Sequence, residues 1–248
     1  MQQLADSIAL VFPGIAASER ALVGQLAAIS RVLTVAADSV LCQQGVAANC
    51  SHWLLDGQMA LVQSGPSLGP AVIDVVRPVA GITVAGAVLG EAYPITAQAL
   101  APSRVLEMQA APLRHLSQQK PLLAIELMRG MARETASAVW QIVDLKTRKA
   151  AQRLGNYLLT LVVDPEAVAA ELRLPFQKGM LAAKLGCRQE NLSRAFASLR
   201  KLGVETHGLH VRLSDIPRLR AFSGAGAPGA GGQAEGTLAE AFSSAFEL

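Results

Sequence analysis

Three textures of hydrophobic and polar positions follow one another along the chain. Residues 18–28, SERALVGQLAA, set Leu22 and Leu26 at helical spacing behind Ser18, a residue type whose oxygen takes a free N–H of a first turn, so a short helix is predicted to open the fold. From Arg31 to about Met108 the apolar positions come instead in short β-rich runs, RVLTV, SVLCQQG, HWLLDGQMALVQ, AVIDVVRP and SRVLEM, divided by turn residues. Asp56-Gly57 predicts a hairpin, because glycine tolerates the positive φ of a tight turn, and Gly45 and the GPSLGP stretch at 65–70 punctuate neighbouring strands. Strands this short and this closely spaced predict a compact antiparallel barrel or roll.

From Pro121 the period lengthens. Leu123, Leu127, Met131, Ala138, Ile142 and Leu145 recur near every three to four residues and form one apolar stripe on a long helix. No other helix of matching length offers a partner within the chain, so the stripe is predicted to pack against a second copy, making a homodimer. Thr147 is expected to cap a second helix running through Leu161, with Leu145–Thr147 as a hinge. Beyond Asp164-Pro165, FQKGMLAAKLG (176–186) and ENLSRAFASLRKLG (190–203) read as two amphipathic helices, followed by a hairpin, VETHGLHVRLSD, that turns at His207-Gly208. After Phe222 the composition collapses into SGAGAPGAGGQAEG, which cannot bury a core, and ends in TLAEAFSSAFEL, a short amphipathic stretch. The predicted organisation is α+β: a β-roll over 1–120, a long helix over 121–146, a winged helix–turn–helix over 147–222 and a flexible Gly/Ala-rich tail over 223–248.

Composition narrows this picture. With 248 residues, 51% hydrophobic and 17% charged, the chain is a packed globular one. No apolar run reaches the roughly 20 residues of a membrane span. No basic segment precedes the first apolar stretch, which argues against a secretory signal, and three cysteines are too few for a disulfide framework, so a cytoplasmic protein is expected. The net charge of +3 is unevenly spread. Residues 1–145 hold 8 Lys/Arg against 10 Asp/Glu, residues 146–220 hold 14 against 6, and the last 28 hold three glutamates and no base. An acidic front and a basic back fit a sensor followed by a polyanion-binding module; solvated helix faces would carry the same charges. There is no P-loop, HExxH, GxSxG or CxxC, and an enzyme is not expected.

Two short helices joined at Gly186 have the shape of a DNA-reading helix–turn–helix. With Leu192, Phe196 and Leu199 turned inward, Arg188, Gln189, Glu190, Ser193 and Arg194 fall on the outward face at the start of the second helix. Arginine bridges guanine O6 and N7, glutamate accepts from cytosine N4 and serine adapts to several bases. A plain Glu190–Arg194 surface ion pair is the alternative, worth a few tenths of a kcal/mol.

The run LPFQKGMLAAKLGCRQENLSRAFASLRKLGVETHGLHVRLSD resembles the C-terminal domain of Crp/Fnr transcription regulators in its LP entry, its LAAKLG first helix, its ENLSR second helix and its wing ending in Asp215. Roll, long helix and this module, in that order, extend the resemblance over about residues 5–222. DLKTRKAAQRLGNYLL and VRPVAG look closest to the ferrous-iron transport regulator branch. The resemblance implies a cyclic-nucleotide-binding-like roll and a transcription regulator that binds double-stranded DNA as a homodimer on palindromic, TTGA-like half-sites, with RNA polymerase as a further partner and no membrane partner. Glu190, Ser193 and Arg194 would read bases, joined by Gln189, which stands where the Crp subgroup carries arginine. Lys178, Arg188, Arg200, Lys201 and His207 would hold phosphates.

The roll departs from the pattern used for cyclic AMP. Ile95-Thr96 stands where those relatives carry an Arg-Ser or Arg-Thr pair, and a buried cyclic phosphate needs that cation. Cyclic AMP is therefore not the expected signal. The iron–sulfur cluster of oxygen-sensing Fnr members is excluded too, since no cysteine precedes Cys42. Haem stays open, with His52, His115, Cys42 and Cys50 as candidate ligands, and Cys42 and Cys50 are also candidates for thiol oxidation; a histidine or cysteine on a strand is more often packing. A ligand-binding receptor that acts through protein–protein contact is the alternative from another class.

Overall fold

The computed structural model describes residues 2–65, 68–175 and 177–224, so the predicted tail beyond Gly224 lies outside the described residues. The chain divides into two compact units, one ending at Thr135 and one beginning at Ala136.

The first unit opens with three helices, α1 (Gln2–Val11), α2 (Pro13–Ser18) and α3 (Arg20–Ala28). Only α3 was expected; the Leu4, Ile8 and Val11 spacing of α1 carries the same helical signal. Ser18 ends α2 rather than capping α3, whose N-cap is Glu19. There follow β1 (Ser30–Val35), β2 (Val40–Cys42), β3 (Cys50–Asp56), β4 (Met59–Gly65), β5 (Leu68–Val76), β6 (Ala80–Gly81), α4 (Val84–Leu89), β7 (Thr96–Ala99), β8 (Ser103–Gln109) and α5 (Ala110–Gln119). Two four-stranded antiparallel sheets, β1-β8-β3-β6 and β2-β7-β4-β5, make the roll.

Asp56-Gly57 is not a hairpin turn. β3 and β4 belong to different sheets, and the chain crosses between them at Gly57 (φ +93°), where a Cβ would lie 2.3 Å from the Ser103 Oγ. Alternation of side chains on β3 serves two cores at once. Trp53 and Leu55 face α1–α3, where Phe12 meets Trp53 edge-on at 5.4 Å, while Leu54 faces the roll interior with Met59, Tyr93, Ala97 and Val105.

The long helix α6 (Pro121–Thr147) runs across the division between the units. Leu123 (0% exposed), Leu127 (6%) and the half-buried Met131 pack into the core beneath α1–α3, so this part of the predicted stripe is used inside the chain. The exposed large apolar positions of α6 are Ile125, Met128, Val139, Ile142, Val143 and Leu145, which include the last two members of the expected stripe.

The second unit contains the end of α6, then α7 (Ala150–Leu159), β9 (Ala170–Arg173), α8 (Lys178–Lys184), α9 (Gln189–Leu199), a 3-10 turn at Arg200–Leu202, β10 (Val204–His207), β11 (His210–Leu213) and α10 (Ile216–Ser223). Thr147 does not cap α7. Its hydroxyl donates back to the Val143 carbonyl at 2.8 Å within α6, and Lys149 is the N-cap of α7. The turn at Gly208 (φ +62°) closes the β10–β11 hairpin as expected, and β9 adds a third strand in the order β10-β11-β9. Asp215 caps α10 by accepting the Arg218 N–H at 2.9 Å.

Candidate nucleic-acid interface

α8 and α9 pack through Leu181, Ala182, Leu185, Leu192, Ala195, Phe196 and Leu199, all buried. Gly186 (φ +60°) makes the left-handed turn that ends α8, and Arg188 is the N-cap of α9. Because the apolar positions of α9 are committed inward, Glu190, Ser193 and Arg194 at i, i+3 and i+4 lie together on its exposed face. Among the described residues no ion pair joins Glu190 to Arg194. The Ser193 hydroxyl donates to the Gln189 carbonyl at 3.0 Å, which leaves its oxygen lone pairs able to accept.

Two of the expected contact residues lie close against their own module. The Gln189 amide folds back over α8, with its Nε2 2.7 Å from where a Gly179 Cβ would stand. The Lys178 ammonium lies over the Phe196 ring, 5.3 Å from its centroid. Arg188, Arg200, Lys201 and His207 are exposed around the same module. The three-stranded sheet adds a row missed in the sequence: His207 opposes His210, and His210 opposes Arg173. The β9 segment AELR is only four residues long, so its pattern did not announce Arg173 as a neighbour of the wing.

The roll is chemically different. Its interior is filled by Leu54, Met59, Tyr93, Val76, Ala97 and Ala99. Thr96 accepts the Gln44 N–H at 3.1 Å and Ile95 brings no charge, so neither of these two positions offers a cation to a cyclic phosphate. Across three neighbouring strands Arg31, Glu107 and His52 form a chain: Arg31 Nε donates to Glu107 Oε1 at 2.6 Å, and His52 Nε2 lies 3.2 Å from Glu107 Oε2. The other ring nitrogen, Nδ1, is 2.9 Å from the Thr83 hydroxyl at the start of α4. Burial pulls His52 below its ordinary pKa, against the opposing pull of Glu107.

These contacts do not fit an axial haem ligand, because both His52 nitrogens are taken. His115 lies apart on the exposed side of α5, paired with Gln119 at 2.9 Å. Cys42, Cys50 and Cys187 are free, and burial pushes each thiol up, away from the reactive thiolate. Tyr93 holds the Cys50 backbone, donating to its carbonyl at 2.9 Å and accepting from its N–H at 3.3 Å. No group of three His, Cys, Asp or Glu residues able to hold a metal occurs among the described residues. No described helix is long and apolar enough to cross a membrane.

Known proteins match both units. Residues 32–120 match the cyclic nucleotide-binding domain and residues 152–222 the Crp-like helix-turn-helix domain. The transcriptional activator protein FnrA of Stutzerimonas stutzeri is 33% identical over 138 residues, covering 54% of this chain and 57% of that protein. The transcriptional activator protein anr of Pseudomonas aeruginosa is 32% identical over 150 residues, covering 59% of each. The matched region thus spans less than two thirds of these relatives. A crystal structure of a Ruegeria pomeroyi DSS-3 protein superposes with a TM-score of 0.63 at 28% identity, covering 90% of this chain and 99% of that one. With a match to the cyclic nucleotide-binding domain followed by a match to the Crp-like helix-turn-helix domain on one chain, the protein is similar to Crp/Fnr-type transcription regulators in both domains and in their order.

Proposed function

We propose that this chain is a sequence-specific DNA-binding transcription regulator that works as a homodimer and answers a signal other than a cyclic nucleotide. The observation that carries the reading is the exposed face of α9, where Glu190, Ser193 and Arg194 project from a helix whose large apolar residues, Leu192, Phe196 and Leu199, are buried in its own unit. Arg194 pairs with guanine, Glu190 with cytosine N4 and Ser193 with a base between them, on inverted TTGA-like half-sites. Arg188, Arg200, Lys201 and the His207–His210–Arg173 row take phosphates and set salt dependence.

The second copy docks along α6. Ile125, Met128, Ala132, Thr135, Val139 and Ile142 are exposed and alternate at spacings of three and four, the repeat of a two-stranded coiled coil. This seam replaces the stripe expected from Leu123 and Leu127. The apolar interior of the roll and the uncharged Ile95-Thr96 pair support a signal that is not cyclic AMP, and the engaged His52 and protonated thiols disfavour haem and thiol sensing. DLKTRKAAQRLGNYLL supports a place beside the ferrous-iron transport regulator branch. RNA polymerase would be the downstream partner, in the cytoplasm.

The test is fluorescence anisotropy with a duplex carrying two inverted TTGA half-sites and with a scrambled duplex, alongside sedimentation of the free protein. Tighter, salt-sensitive binding of the first duplex by a dimer is expected. Equal binding of both duplexes would overturn the assignment of α9, and a monomer at micromolar concentration would overturn the seam.

A further inference from the structure

The turn between α8 and α9 is tied to the end of α6 by one guanidinium and one leucine. Arg153, on the first turns of α7, donates from Nε to the Leu185 carbonyl at 2.9 Å, from Nη2 to the Gly186 carbonyl at 3.5 Å and from Nη1 to the Arg148 carbonyl at 2.7 Å. Leu185 and Gly186 end α8, where carbonyls have no partner inside the helix, and Arg148 joins α6 to α7. A planar, permanently charged fork suits this role, since it can serve several acceptors at once from a fixed position. Leu145, in the last turn of α6, makes the second tie: its Cδ2 would be 2.4 Å from a Cβ on Gly186, so its side chain rests on the backbone of that turn. Arg148 is itself held to α6, its N–H donating to the Asp144 carbonyl at 3.0 Å and its guanidinium pairing with the Asp144 carboxylate.

We propose that Arg153 is a positioning residue that, with the Leu145–Gly186 contact, makes the last turn of α6 and the start of the recognition helix α9 move as one body. This rests on the reading of α9 as the DNA-contacting helix. Residues 144–148 are then not a hinge. Any rearrangement along α6 is delivered directly to Glu190, Ser193 and Arg194, which follow Gly186 by four to eight residues. A signal that rotates α6 would therefore re-aim the base-reading side chains without a flexible joint to absorb the motion.

The test compares Arg153→Met, Arg153→Lys and Leu145→Ala with the unaltered full chain. Two quantities are read: the ratio of affinities for the inverted TTGA duplex and a scrambled duplex, and amide hydrogen exchange over residues 186–191. Arg153→Met is expected to lower the affinity ratio by about tenfold and Leu145→Ala by about threefold, with faster exchange at 186–191 in both. Arg153→Lys keeps the charge but not the fork and should fall between Arg153→Met and the unaltered chain. An unchanged ratio and unchanged exchange in Arg153→Met and Leu145→Ala would overturn the coupling. Should Arg153→Met fail to fold, Leu145→Ala and Arg153→Lys decide on the same two readouts. Should the unaltered chain not distinguish the duplexes, the DNA reading fails by itself, and exchange alone decides: faster at 186–191 sustains the coupling, unchanged ends it.

Discussion

The roll interior and the recognition helix spend their polar side chains in opposite ways. In the roll, polar groups near the core turn to partners within the fold, the buried Ser51 hydroxyl excepted: His52 is shared by Glu107 and Thr83, Thr96 takes the Gln44 N–H and Tyr93 holds the Cys50 backbone. On α9 the polar side chains that matter lie outside the packing, and the fold needs only Leu192, Ala195, Phe196 and Leu199 beneath them. A buried polar group without a partner is costly, so a roll that lacks the phosphate-pairing arginine closes over its interior with apolar and internally bonded residues. A solvated helix face carries no such cost and is free to be shaped by what it contacts. Substitutions in the roll should therefore register as stability, and substitutions on α9 as binding.

The largest effect tests which face of α6 is committed inside the chain. Leu123→Ala should destabilise the first unit by about 2–5 kcal/mol in urea denaturation, because Leu123 is fully buried against α1–α3. Ile142→Asp, at a position that is 51% exposed, should leave that unit's stability within about 0.5 kcal/mol while converting a sedimenting dimer to monomer. A reversal of the two results would return the seam to Leu123 and Leu127.

Next comes the reading face. Arg194→Ala should weaken binding to the inverted TTGA duplex by about 1–3 kcal/mol, with little change on scrambled DNA and a melting temperature close to the unaltered value. Equal losses on both duplexes would move Arg194 from base reading to phosphate contact. Lys201→Ala, in the 3-10 turn after α9, should act the other way: affinity falls on every sequence and the slope of log K against log salt shrinks by about one. A sequence-selective loss from Lys201→Ala would place its ammonium in the groove.

The same division explains what was legible in the sequence. The helix–turn–helix was readable because helical periodicity fixes both faces of α9 together: with Leu192, Phe196 and Leu199 inside, Glu190, Ser193 and Arg194 must be outside. The β10–β11 hairpin was readable because its turn is local. Asp56-Gly57 gave the same local signal and a different structure, since whether two successive strands pair or pass to separate sheets is settled by distant partners, here β8 for β3 and β7 for β4. Leu123 and Leu127 were misassigned for a related reason. A helical stripe records that one face is buried but not against what, and α1 and α2, which help to cover it, were not recognised as helices. The Arg153 fork was illegible because its acceptors are backbone carbonyls 32 and 33 residues away, which no residue type announces.

The smallest effect concerns the one buried histidine of the roll. Burial lowers the His52 pKa below its ordinary value of 6.5, while Glu107 pulls the other way and keeps the shift from growing. The unfolded chain then binds the proton more readily than the folded one. The stability that neutral His52 contributes is complete above about pH 6.5 and is lost as the pH falls from there through the folded-state pKa. Urea midpoints of the first unit should accordingly decline on acidification below about pH 6.5, and His52→Gln, which has no proton to take up, should flatten that decline even if its midpoint at neutral pH is lower. Equal slopes for the two proteins would mean that protonated His52 is accommodated by Glu107 as well as by water. That outcome would blur the contrast between a roll whose polar groups serve the fold and a helix whose polar groups lie exposed outside the packing.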